Sequence, residues 1–193
     1  METINEYIDD SGILLIKNAM DAGFTKYALY NYIRDYDFVK VAHGIYALPD
    51  TLVDKDYILS LKCPNGVLSH DTSLFYHDLT DREPIRQTIT IYSGYGTMRL
   101  ADKNVKVFTV KKELLGLGKT IINNNYGHPI PIYDKERTIC DLFRSRQWFE
   151  KSEFSSSLKA YLRRSDKDLH KLIHYAEQFN VDKKIKEYLE VLL

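Results

Sequence analysis

Between Thr25 and Pro49 the apolar period of the chain changes from helical to alternating, and few small folds accommodate that change. Leu29, Tyr32, Ile33 and Tyr36 recur at i, i+3, i+4 and i+7, the spacing of one buried helix face. Thr25 stands where an N-cap belongs, and Gly23 where the preceding helix would stop. Phe38–Ala42 and Ile45–Leu48 then flank His43-Gly44 and read as a hairpin ended by Pro49. Upstream lie two more helical segments, residues 3–10 with Thr3 as cap, and Ile13–Ala22, separated by Ser11-Gly12. Three helices followed by a hairpin is the element order of a winged helix-turn-helix.

In that arrangement the second helix of the motif enters the major groove. The apolar face of the helix after Thr25 leaves Lys26, Tyr27, Tyr30, Asn31 and Arg34 outside. Arg suits guanine edges, Asn suits adenine, and Lys or Tyr suits phosphate. Lys40 and His43 fall where a wing would meet the adjacent backbone. The head is poor in cations: Lys17, Lys26, Arg34 and Lys40 face seven acids in the first forty residues, Glu2, Glu6, Asp9, Asp10, Asp21, Asp35 and Asp37. Affinity grows with phosphates neutralised, so help from elsewhere is expected. Within the head, Lys17 is expected to add a basic contact. Arg99, Lys103, Lys106, Lys111, Lys112 and Lys119 form a second set, and Arg144, Arg146, Lys159, Arg163 and Arg164 a third. The same cations could instead let the C-terminal helices dock an acidic partner without specific DNA binding.

Pro49-Asp50 and the polar Asp54-Lys55-Asp56 place a boundary near residue 50, giving a head of 1–50 and a second domain of 51–193. Within the second domain, 51–145 reads as mixed α/β. Helices are expected at Tyr57–Lys62 and through Tyr76, where Ser69 or Asp71 would cap, with strands at Thr88–Tyr92 and Val105–Val110. Ile130–Asp134 reads as an edge strand, because Pro131 cannot donate to a ladder. Residues 146–193 read as a helical, bundle-like tail. The fold class is therefore α+β.

Composition closes off several functions. The N-terminus has no basic run followed by an apolar stretch, and no segment is long and apolar enough to span a bilayer. A cytoplasmic chain without a membrane partner is expected. Cys63 and Cys140 have no neighbours at metal-ligand spacing and read as buried free thiols. Ser69-His70-Asp71 cannot act as a triad while adjacent, since a triad is assembled in space. His170 and His174 have the spacing of a zinc pair but no third ligand, and neither Gly94-Tyr95-Gly96 nor Gly116-Leu117-Gly118 continues into a phosphate loop. No metal or cofactor is implied. A metal-dependent transferase on Asp71, Asp78, Asp134 or Asp141 would want an Asp-x-Asp pair on a strand, which is absent, so a non-enzyme is expected.

Five stretches carry a family resemblance: Ile13–Thr25, Val39–Pro49 with its Gly44-Ile45-Tyr46, and the later Gly66–Leu74, Ile89–Ile91 and Ile132–Leu142. Together they resemble the AbiEi family, antitoxins of type IV toxin–antitoxin systems that act in abortive phage infection. The resemblance spans nearly the whole chain. It implies a winged-helix head that binds promoter inverted repeats in double-stranded DNA and represses its own operon. It also implies an antitoxin domain that counters a nucleotidyltransferase-like toxin without a stable complex. By position it assigns DNA contact to Lys26, Tyr27, Tyr30, Asn31 and Arg34 on the helix and to Lys40 and His43 on the wing. More than one copy on DNA is expected of a chain that can be a monomer in solution.

Overall fold

In the computed structural model, which describes residues 3–96, 100 and 102–192, the first apolar run of the chain is a strand rather than the start of a helix. This strand, β1 (Ile13–Leu15), leads directly into α1 (Ile16–Asp21). A short 3-10 turn at Ile4–Tyr7 precedes it, with Glu6 reaching back to the Thr3 N–H at 3.1 Å. After α1 come α2 (Lys26–Asp35), β2 (Val39–Ala42), β3 (Ile45–Ala47) and α3 (Lys55–Lys62). The three strands form an antiparallel sheet in the order β1-β3-β2, with Ile13 opposite Ala47 and Leu15 opposite Ile45. A short apolar run fits a buried strand as well as a helix, and pairing with β3 decides the matter.

Alternation along the strands gives this small sheet two buried faces. On one, Leu14 and Tyr46 join Ile16, Ala19, Leu29, Ile33 and Phe38 from the helices and the approach to β2. On the other, Ile13, Ile45 and Ala47 meet Ile58 of α3. Each of the Leu, Ile and Phe side chains among them contributes about 1.5 to 3 kcal/mol by leaving water. Asp9 ties the ends of the unit together, accepting from the Ile13 N–H at 2.8 Å and the Tyr57 hydroxyl at 2.8 Å. The first compact unit is accordingly Met1–Lys62, and the second is Cys63–Leu193. The boundary falls twelve residues later than the polar stretch after Pro49 implies, because α3 supplies the cover for the sheet's second face.

The second unit is built on five strands: β4 (Val67–Leu68), β5 (Gln87–Tyr92), β6 (Val105–Val110), β7 (Lys119–Asn123) and β8 (Pro129–Tyr133). Their order is β6-β5-β4-β8-β7, with β5/β6 and β4/β8 parallel and the remaining pairs antiparallel. β8 is thus an inner strand, not an edge. β4 meets it at one register pair, Leu68 with Ile132, so that side of the ladder asks no continuous run of donors and Pro131 is tolerated. The helices are α4 (His70–Tyr76), α5 (Lys135–Arg144), α6 (Lys151–Arg163), α7 (Leu169–Gln178) and α8 (Asp182–Leu192). Among the described residues the chain is a mixed α+β protein with two sheets and eight α-helices.

α5 lies at the centre of the second unit, with every residue from Glu136 to Phe143 buried. Its apolar side joins Leu74, Phe154, Leu158, Tyr161, Leu172, Ala176 and Ile185. Its polar side is buried too and is engaged by neighbours only in part, since Arg137 Nε and Nη2 and Asp141 Oδ2 have no hydrogen-bond partner among the described residues. Arg137 lies between the Tyr133 and Phe179 rings, 3.9 and 4.1 Å from their centroids. It donates to the Leu114 and Leu117 carbonyls and stands 3.3 Å from Asp141. Glu136 accepts from the Tyr161 hydroxyl and the Asp168 N–H. Cys63 and Cys140 are free and buried.

Candidate nucleic-acid interface

α2 starts where Thr25 accepts from the Ala28 N–H at 3.2 Å, satisfying one of the helix's orphan donors. Leu29 and Ile33 are its buried residues and anchor it against α1 and β1. Tyr27, Tyr30, Asn31 and Arg34 recur at i, i+3, i+4 and i+7 and make one stripe on the other side, with Lys26 beside it in the first turn. Lys26, Tyr27, Tyr30 and Arg34 are exposed, and Asn31 is partly so. Tyr27 is 79% exposed, a large apolar ring held in water with no intramolecular ring partner among the described residues. Tyr30 leans on Tyr46 in an edge-to-face contact at 6.4 Å, which fixes its ring against the sheet.

Arg34 pairs with Asp35 at 3.0 Å, both side chains being well exposed. A surface pair of this kind contributes little, so Arg34 can leave it for a stronger acceptor. Tyr36, placed by its spacing on the buried side, is instead 55% exposed. It follows the last residue of α2, outside the helical phase, and tilts over Tyr32 at 4.4 Å.

The β2–β3 hairpin turns at His43-Gly44, where Gly44 has φ 71°. The register shifts between Lys40 and Ala42, so Val41 is a bulge residue and the strand above it twists more strongly. Lys40 and His43 are both exposed, one on the strand and one at the tip. All seven residues expected to touch DNA therefore lie in the first unit, on one helix and the hairpin that follows it. Lys17 is also in this unit, exposed on α1.

The other expected cations lie in the second unit, in two groups. Lys106 seats its ammonium over the Trp148 and Phe108 rings, 4.3 and 5.0 Å from their centroids. Lys111 and Lys112 are exposed beyond the end of β6, Lys112 near the Tyr92 ring, and Lys103 and Lys119 are exposed as well. Arg99 lies outside the described residues. On the helices the picture differs. Arg144 is bound to Asp141 at 2.6 Å, Arg146 donates to the Phe149 carbonyl, and Arg164 binds Asp166 and the His77 carbonyl. Arg163 and Lys159 are exposed. Three of the arginines read as a basic cluster are thus engaged within the fold.

Other sequence motifs resolve into structure. Ser69 stands at the N-cap of α4, but its side chain does not cap. It accepts from the Thr90 hydroxyl at 2.8 Å and bonds His70 Nδ1 at 2.9 Å, while Ser145 holds His70 Nε2 at 3.0 Å. His170 and His174 are exposed, and no group of three His, Cys, Asp or Glu among the described residues could hold a metal. The surroundings of Trp148 escaped the sequence reading. The signal available was that it is the chain's single tryptophan, four residues beyond the end of a central helix.

No family model and no curated protein matches the chain. It is similar in fold to the crystal structure of the RV2827C protein from Mycobacterium tuberculosis, with a TM-score of 0.59 at 12% identity over 90% of this chain and 69% of that one. At that identity the likeness establishes a shared α+β architecture alone. Among the described residues no helix is long and apolar enough to cross a membrane.

Proposed function

We propose that the first unit is a winged helix that reads DNA, and that the chain is a non-enzymatic, cytoplasmic antitoxin and autorepressor of the AbiEi kind. The observation that carries the DNA reading is the division of α2. Leu29 and Ile33 fasten it to the sheet, while Lys26, Tyr27, Tyr30, Asn31 and Arg34 stand on its outer side, followed at once by a hairpin presenting Lys40 and His43. Groove binding requires a helix held rigidly from behind with hydrogen-bonding side chains in front. The antitoxin half rests on the sequence resemblance: repression through promoter inverted repeats, with more than one copy on the DNA, and antagonism of a nucleotidyltransferase-like toxin without a stable complex. Arg144, Arg146 and Arg164, tied up internally, weaken the rival reading, an acidic partner gripped by the C-terminal helices.

The test is binding of the full chain to the inverted repeat upstream of its own gene, followed by fluorescence anisotropy. Asn31→Ala and Arg34→Ala should each weaken specific binding by about 1 to 3 kcal/mol, roughly 5- to 150-fold, with an unchanged circular dichroism spectrum. Equal affinity of both variants and the parent chain would overturn the DNA reading. The antitoxin reading is tested separately, by whether co-expression restores growth to cells making the nucleotidyltransferase-like protein encoded beside it.

A further inference from the structure

Among the described residues the two sheets have four edges, and three of them are guarded against a further strand. β1 is bridged by Ile8 to Leu14, β2 is interrupted by the bulge at Val41, and β6 carries a lysine, Lys106, within it. β7 has none of these guards. Its five residues pair with β8 without a break, from Lys119 opposite Tyr133 to Asn123 opposite Pro129, and its one charge stands at its first residue. The flanking bonds fix which way its backbone faces. Asp134 donates to the Gly118 carbonyl at 2.8 Å and Asn124 to the His128 carbonyl at 2.9 Å, so Thr120 and Ile122 complete the set that turns toward β8. Lys119, Ile121 and Asn123 turn their peptide groups outward. The Lys119 N–H is spent on the Gly116 carbonyl at 3.2 Å, whereas the Ile121 and Asn123 N–H groups have no partner among the described residues. Ile121, the middle residue, is 66% exposed.

This edge is complementary to itself. Turned about a two-fold axis through Ile121, a second β7 runs antiparallel to the first and sets Ile121 opposite Ile121 and Lys119 opposite Asn123. The two Ile121 residues then exchange both N–H···O=C bonds, and each Asn123 N–H reaches the Lys119 carbonyl of the other copy. All four free donors are used, and the spent Lys119 N–H is not required. The side chains agree with the backbone. On one face Ile121 meets Ile121 between two pairs in which the Lys119 ammonium faces the Asn123 amide, and on the other face Thr120 packs against Ile122 twice. Parallel pairing in register would instead set Lys119 against Lys119, with no acid on the edge to answer it. We infer that two copies of the chain join through β7 into one continuous ten-stranded sheet, an isologous contact that closes on itself. Five residues a side bury less than the roughly 1,200 Å² of a standard interface, so the association is weak, with a Kd of roughly 10 µM to 1 mM. It needs only the second unit and no DNA, and failure of promoter binding by the first would leave it standing.

The mass of the full chain without DNA is followed by sedimentation equilibrium from about 10 µM to about 1 mM. It should rise toward that of two chains and no further. Ile121→Lys and Ile121→Glu each place like charges together on the axis, and each alone should weaken association about tenfold or more with an unchanged circular dichroism spectrum. Mixing the two variants in equal amounts should restore association, because opposite charges then meet. Register is read separately with single cysteines. Ile121→Cys would lie about 5.5 Å from its copy between Cα atoms, within disulfide reach, whereas Lys119→Cys would lie about 14 Å from its own. Cys63 and Cys140 are buried and do not compete. Mild oxidation should cross-link the first variant and not the second. A chain that stays monomeric to about 1 mM, association unaffected by Ile121→Lys, a mixture no more associated than its parts, or equal cross-linking at the two positions would each overturn the proposal.

Discussion

His70 begins α4 in the left-handed region, with φ 48°, its ring stacked on Phe108 at 3.4 Å between centroids. Both ring nitrogens end on serine hydroxyls, Ser69 on one side and Ser145 on the other. A neutral imidazole satisfies this frame with one donor and one acceptor nitrogen, whereas the charged ring would lose its solvation. Burial therefore lowers its pKa to about 4, outweighing the attraction of Asp141. The unfolded chain takes up a proton near pH 6.5 and the folded chain only near 4, so stability is complete above the first value and is lost as pH falls toward the second. His77, also held below its ordinary value by burial, acts with the same sign. Urea unfolding followed by Trp148 emission should show the second unit losing about 3 kcal/mol between pH 7 and pH 4 from His70 alone. His70→Asn, which tolerates the backbone conformation, should be less stable at pH 7 but should flatten this slope. An unchanged slope would show that His70 is not buried in its neutral form.

At the scale of elements, two short connections do much of the positioning. Gly118 joins the 3-10 turn at Lys112–Leu114 to β7 with φ +76°, and a Cβ there would come within 2.5 Å of the Arg137 Cβ. Gly118→Ala should therefore cost about 2 to 4 kcal/mol in urea unfolding, from backbone strain and overpacking together. Gly116→Ala, with open space around it, should cost far less, and equal losses would refute the steric account. The hairpin supplies the second case. If β2–β3 is a wing on phosphate, Lys40→Ala should weaken all DNA sequences alike and reduce the salt slope of binding by about one unit. Those elements the sequence made legible were the ones with a strong period or a clear cap: α2 behind Thr25, the hairpin at Gly44, and the helices from α5 to α8. Three features were not legible, each for a physical reason. β1 is three apolar residues that become a strand only by pairing with β3. β7 is an exposed edge whose Lys119–Asn123 alternation is weak. Pro131 is tolerated inside a sheet because the neighbouring β4 is two residues long. The outer stripe of α2 was readable residue by residue, whereas the seat of Lys106 on Trp148 joins two segments distant in sequence, which periodicity cannot pair.

The whole molecule is neutral, with 27 basic and 27 acidic residues, but its charge is divided unequally. Residues 1–62 hold 6 Lys and Arg against 10 Asp and Glu, leaving 21 against 17 in residues 63–193. If the first unit reads DNA as proposed, its excess of acids opposes the approach to a polyanion. Some of those acids are occupied inside the unit, Asp9 by Tyr57 and backbone amides and Asp35 by Arg34, but their charge still acts through solvent. The tethered second unit carries the compensating excess and, with exposed Lys103, Lys111, Lys112, Lys119, Lys159 and Arg163, can contribute sequence-independent attraction wherever it lies along the duplex. The 1–62 fragment has its own two apolar clusters and should fold, as circular dichroism can verify. It should retain the preference for the promoter repeat over unrelated DNA while binding both more weakly than the full chain. The gap should narrow as salt rises, since screening removes the second unit's contribution before it removes base contacts made at close range. A fragment that matches the full chain at low salt would show that the acidic head needs no electrostatic assistance.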